Sequence, residues 1–127
     1  MRPIMLAFCV LFTSFSHASC LKNGDTITLT GMLVSKTYQS PEDVPEPVSK
    51  LVLELDKPLD CMVDVDKTFK SWNKDITLSP PHTEKYKSIE PLIDKHVFVS
   101  GKLALAVTAY NFTAILLLAD NITILNN

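Results

Sequence analysis

Cysteine, histidine and carboxylate side chains carry the chemistry this sequence has to offer, and their spacing decides which chemistry that is. The chain has three cysteines, three histidines and 14 Asp and Glu among 127 residues. Cys9 and His17 fall in an apolar N-terminal stretch, which leaves Cys20, Cys61, His82 and His96. A zinc site needs three or four closely spaced nitrogen or sulfur ligands. His82 and His96, fourteen residues apart and with no thiol to spare, do not supply them. Asp64-Val65-Asp66 with Asp75 has the outline of a calcium loop. Phe69 stands where the loop needs a glycine for its sharp turn, however, and Asp75 where it needs a bidentate Glu. The stretch reads as a solvated acidic turn, and no metal or other cofactor is expected.

Hydrolytic chemistry is no better supplied. A nucleophile elbow places glycines around a serine, and none of Gly24, Gly31 and Gly101 stands in that pattern. If Cys20 and Cys61 pair, no thiol nucleophile remains. Two carboxylates could meet in space as in a glycosidase, which spacing alone does not test, but a small barrel without a deep cleft is a poor place for them. The expectation is therefore no catalytic residue and no enzyme. An envelope hydrolase is kept as a third reading that needs two close carboxylates in a cleft.

The compartment follows from the N-terminus and the cysteines. Arg2 precedes an apolar stretch from Ile4 to Phe15, and Ser16-His17-Ala18 places small residues where a signal peptidase reads them. Residues 1–18 read as a signal peptide too short to span a bilayer, and residues 19–127 as one domain. The expected location is periplasmic or secreted, with no transmembrane segment after cleavage. Cys20 follows Ala18-Ser19 closely enough to mimic a lipidation site, but His17 stands where an aliphatic residue belongs. An even pair of cysteines in an oxidising compartment reads as a Cys20–Cys61 disulfide, with two buried free thiols as the alternative. Arg2 is the sole arginine, so residues 19–127 hold only lysines against 14 acids. An arginine-free, acidic domain is a poor match for phosphate backbones, and nucleic acid is not an expected partner.

The elements that position these residues read as strands. Thr26 to Tyr38 alternates, with Ile27, Leu29 and Leu33 on one face and Thr26, Thr28 and Thr30 on the solvent face. Gly31 inside it predicts a bulge or sharp coil that lets one long strand serve two sides of a barrel. Gln39 to Ser49 is a loop of prolines and acids. Lys50 to Asp56 alternates with Leu51, Leu53 and Leu55 inward, Cys61 to Val65 reads as a third short strand, and Asp75 to Ser79 as a further piece. Thr83 can cap a short helix carrying Tyr86 and Ile89, ended or bent by Pro91. His96 to Thr108, with Val97, Val99 and then Gly101, and Thr113 to Leu125, with Ile115, Leu117, Ile122 and Ile124, complete the set. Leu103 to Ala119 carries no charge, but Thr108, Tyr110, Asn111 and Thr113 at its middle suit a hairpin rather than a bilayer core. The expected fold is all-β with one short helix, a small five-stranded OB-like barrel closed by one disulfide.

In such a barrel two loops flank one binding face. Here they offer Tyr38, Glu42, Asp43 and Glu46 from one side and Tyr110, Asn111 and Phe112 from the other. Tyrosines, an amide and three acids suit a cationic or amphipathic partner. Trp72 in a polar stretch serves either as an exposed interface anchor or as a lid over the barrel end. The expected role is a non-catalytic binding domain with an unidentified protein partner, such as an inhibitor or immunity protein of the envelope. A small-ligand or cation-binding module is the alternative.

Several motifs bear on ancestry. Cys20-Leu21-Lys22-Asn23-Gly24, Thr28-Leu29-Thr30-Gly31-Met32-Leu33, Leu53 to Cys61, Val97 to Leu103 and Ile115 to Ile122 resemble domain-of-unknown-function family 4431, found in bacterial exported proteins. The resemblance includes cysteines at the same two places and implies an exported domain with no stated activity. The family tends to carry a histidine-rich hairpin and a Gly-Pro-Pro first loop. This chain reads Thr108-Ala109-Tyr110-Asn111-Phe112-Thr113 and Ser40-Pro41-Glu42-Asp43 there, so no histidine role transfers.

Overall fold

A computed structural model of the chain describes residues 20–40, 46–80, 89–108 and 111–125. The signal segment, the helix expected after Thr83, and Glu42, Asp43 and Tyr110 lie outside the described residues. Among the described residues five strands form: β1 (Thr26–Tyr38), β2 (Val48–Leu55), β3 (Asp75–Ser79), β4 (Lys95–Leu105) and β5 (Ile115–Ile124). They close into a barrel in the order β1-β2-β3-β5-β4, with β4 returning to β1. All pairings are antiparallel except β3 with β5.

Closure depends on the 13-residue β1. Its first half pairs with β4 and its second half with β2, and Gly31 to Leu33 pair with both. A strand can turn between two neighbours in this way only where backbone comes close to backbone. A Cβ on Gly31 would run into the carbonyl of Glu54, and one on Gly101 into the carbonyl of Leu118. Both glycines are buried, and the close backbone approach excludes a side chain at each.

Alternation fills the interior. Leu33, Leu53, Leu55, Ile76, Leu78, Val97, Val99, Leu103, Ile115 and Leu117 form one buried cluster, against which Ile27, Leu29, Leu51 and Trp72 pack. In β5 the inward positions run Ile115, Leu117, Ala119 and then switch to Ile122. The pairing steps from Ser100↔Asn121 to Gly101↔Ala119, which leaves Asp120 as the extra residue of a bulge. One inserted residue reverses the faces of everything beyond it. That is why Ile122 is buried although it breaks the parity of Ile115, Leu117 and Ala119.

Two expectations are corrected. Cys61 to Val65 is not a strand: it makes one isolated parallel bridge, Leu21↔Met62, and Asp64 then takes a left-handed backbone with φ of 63°. A segment tied to the chain start and turned at once cannot extend a ladder, and Asp75–Ser79 is the third strand instead. The expected helix from Thr83 lies mostly outside the described residues, and where description resumes Glu90–Leu92 form a 3-10 turn with Pro91 inside its first turn, where its missing N–H costs nothing. The last two strands are shorter than expected, and between them Ala106 N–H donates to the Ala114 carbonyl at 3.0 Å. The uncharged run from Leu103 to Ala119 thus begins in β4 and ends in β5. No helix among the described residues is long and apolar enough to cross a membrane.

Cys20 and Cys61 are bonded to each other, with Cα atoms 4.8 Å apart across a sequence separation of 41. The Cys20 sulfur is thereby committed to the bridge and is not free to carry a lipid thioether.

Candidate functional site

The end of β1 and the described part of the β4–β5 loop meet through their aromatic residues. Tyr38 is the last residue of β1, still in register opposite Val48, and beyond it the Ser40 hydroxyl donates to the Glu46 carbonyl. Phe112 comes from the β4–β5 loop. The Tyr38 and Phe112 rings stack with centroids 4.8 Å apart and planes within 6°. Both are half-buried. Burial raises the Tyr38 phenol above its usual pKa, in partial opposition to nearby Lys36.

A buried hydroxyl fixes Phe112 against the sheet. Thr113 accepts from the Thr77 N–H at 3.1 Å, pairs with the Thr77 hydroxyl at 2.6 Å, and donates to the Ile115 carbonyl at 2.8 Å. A threonine hydroxyl has one proton and two lone pairs, so these three bonds saturate it. The loop is therefore bonded to β3 next to its aromatic residue.

Beside the stacked rings lies a cleft of about 330 Å³ bordered by Lys36, Tyr38, Lys70, Ser71, Asp75 and Phe112. Lys36 leaves the same face of β1 as Tyr38. Its ammonium lies 2.9 Å from Glu54 and 3.0 Å from Asp75. Desolvation pulls the Lys36 pKa down, but the bonds to Glu54 and Asp75 outweigh it and the net shift is upward. The two carboxylates stand opposite each other in the β2–β3 register and share the Lys36 cation. Ser71 borders the cleft, and no histidine among the described residues does. His96, the one histidine among the described residues, is bonded through Nε2 to Asp56 at 2.6 Å. No group of three His, Cys, Asp or Glu among the described residues is placed to hold a metal ion.

The other expected face residues play different parts. Glu46 is exposed and offers its backbone carbonyl to Ser40. The Asn111 side chain is spent inside its own loop, accepting from the Val107 N–H at 2.7 Å and the Thr108 N–H at 3.0 Å. It builds the loop rather than reaching out from it. Trp72 is half-buried and packs on the core, with the Lys67 ammonium 5.4 Å from its ring centroid. That is the lid position. The reading from loops alone missed Lys36 and Lys70, since a lysine in a strand or polar turn carries no local mark of which cleft it will border.

Residues 75–123 match the family model described as domain of unknown function (DUF4431). The chain resembles that family. The matched span opens at Asp75 on β3 and ends in β5, so it contains Phe112, Thr113 and Thr77 but neither cysteine of the bridge nor Tyr38. No curated protein and no solved structure matches the chain.

Proposed function

We propose that this is an exported, non-catalytic binding domain that grips a protein partner at the end of an OB-like barrel where Tyr38 meets Phe112. The stacked ring pair across two loops carries the reading. Half-buried aromatic residues on a bonded, preformed loop lose little conformational freedom on binding, and such residues anchor interfaces. The mixed cleft beside them, with Lys36, Lys70, Ser71 and Asp75, supplies the polar rim around that anchor. Export is supported by the Cys20–Cys61 bridge, which belongs to an oxidising compartment. An inhibitor or immunity role in the bacterial envelope suits the size and the bridge. The partner's identity is what the experiment has to supply.

Affinity capture from envelope and secreted fractions, with the disulfide intact, tests the reading. A stoichiometric partner is expected, and Tyr38→Ala with Phe112→Ala should weaken its retention at least tenfold, about 1.4 kcal/mol. Equal retention by the double variant overturns the assignment of this face. Intact-mass measurement of the exported protein tests export separately, with cleavage after Ala18 the expected result.

A further inference from the structure

The β4–β5 loop borders a second cleft, remote in character from the first. On its other wall stands the turn that follows Cys61, and the space between is about 460 Å³. Phe69, Leu105, Ala106 and Ala114 give it an apolar lining, Val107 forms a lip, and Asp64 and Asp66 stand at its rim. We propose that this groove is a subsite for a basic residue of a partner polypeptide, a lysine or arginine flanked by apolar side chains.

Charge and shape both lead to that occupant. Neither Asp64 nor Asp66 has a cationic partner among the described residues. The nearest lysine in sequence, Lys67, places its ammonium over the Trp72 ring instead. One oxygen of Asp66 accepts from the N–H and hydroxyl of Thr68, at 3.0 and 2.6 Å, and among the described residues its second oxygen has no bond of this kind. A lone cation would satisfy the acids but not the lining. A lysine or arginine satisfies both, because its aliphatic stem lies along apolar surface while its charged head stays at the wet rim. Val107 is 85% exposed, a large apolar side chain left open among the described residues. An apolar neighbour of the basic residue would cover it.

Both walls are fixed before any ligand arrives. The disulfide holds the acidic turn, reinforced by Leu21 N–H to the Cys61 carbonyl at 3.1 Å and Val63 N–H to the Leu21 carbonyl at 2.8 Å. The Asn111 side chain and the Ala106–Ala114 bond hold the loop. A preformed groove spends little on ordering when it is filled.

The test uses the oxidised protein and two short probes, acetyl-Leu-Lys-Leu-amide and acetyl-Leu-Glu-Leu-amide, titrated into it while amide resonances are followed. Saturable shifts centred on Asp64, Asp66, Phe69 and Val107 are expected with the lysine peptide and none with the glutamate peptide. D64N with D66N should weaken the lysine peptide at least tenfold while thermal stability holds. Asn keeps the side-chain shape and tolerates the left-handed backbone of Asp64. No saturable shift, shifts centred on Tyr38 and Phe112, equal response to both peptides, or undiminished binding by the double variant would each overturn the proposal. The Tyr38 and Phe112 variants report on the other face, so failure at one surface is distinguishable from failure at the other.

Discussion

Thr113 is a small residue in a loop, yet three bonds depend on its hydroxyl. Replacing it with valine keeps the shape and removes the bonds, leaving the Thr77 N–H and the Ile115 carbonyl each without that partner. A cost of about 2 kcal/mol is expected in urea unfolding, with weaker partner binding because Phe112 loses its anchor to β3. Asp56 shows a different effect at the same scale. Its hydrogen bond to His96 holds its carboxyl below the ordinary value of 3.8, against a small desolvation effect that raises it. A carboxyl whose folded pKa is depressed adds stability above its unfolded pKa, and that stability is lost as pH falls through the folded value. Stability of the parent should therefore decline more steeply below pH 3.8 than that of D56N. Parallel slopes in acid unfolding of the two proteins would remove Asp56 from the explanation. Asp56 is exposed, so the difference will be small and will shrink further in salt.

Strands and their connections depend on a few covalent and steric devices. Gly31 lies where β1 serves two neighbours, and G31A places a methyl against the Glu54 carbonyl. Destabilisation of about 3 kcal/mol is expected from denaturant unfolding, since backbone on both sides resists the shift. The disulfide closes a segment with a sequence separation of 41, and its reduction should remove about 4 kcal/mol in the chain-entropy model. The fall in Tm on reduction measures it. Much of this scale is legible in the residues themselves. The alternation of Ile27, Leu29 and Leu33, and of Leu51, Leu53 and Leu55, points each strand's inner face correctly because side chains in a strand alternate. Cys61 to Val65 misleads for the same reason: five residues of suitable type say nothing about whether a neighbouring strand is in reach. In β5, apolar residues on both parities are ambiguous until the bulge at Asp120 shows where the faces exchange.

At the scale of the whole molecule, the β4–β5 loop is the feature that the two proposed surfaces share. Phe112 borders one cleft and Val107 the other, while Thr113 and the Asn111 side chain tie the loop down between them. Replacing Asn111 with alanine frees the Val107 and Thr108 N–H groups from their shared acceptor and should loosen both clefts at once. Loss of partner retention and of lysine-peptide binding in N111A, with secondary structure retained by circular dichroism, is the expected outcome. Undisturbed binding at both surfaces would show that the loop holds its shape without Asn111.

The residues by themselves determined the all-β class, the inward faces of the long strands, the need for a residue without Cβ at Gly31 and the pairing of Cys20 with Cys61. Each is a local consequence of side-chain period, missing Cβ or cysteine number. They also marked Tyr38 and Phe112 as members of one face, because a barrel that returns to its first strand brings those loops together. Tertiary structure alone decided the rest. It made Asp75–Ser79 the third strand, bound Lys36 to Glu54 and Asp75, turned the Asn111 side chain into its own loop, and set Asp64 and Asp66 beside Val107. Those arrangements join residues far apart in the chain, and nothing in a local pattern encodes the distance between two side chains that only closure of the sheet brings together.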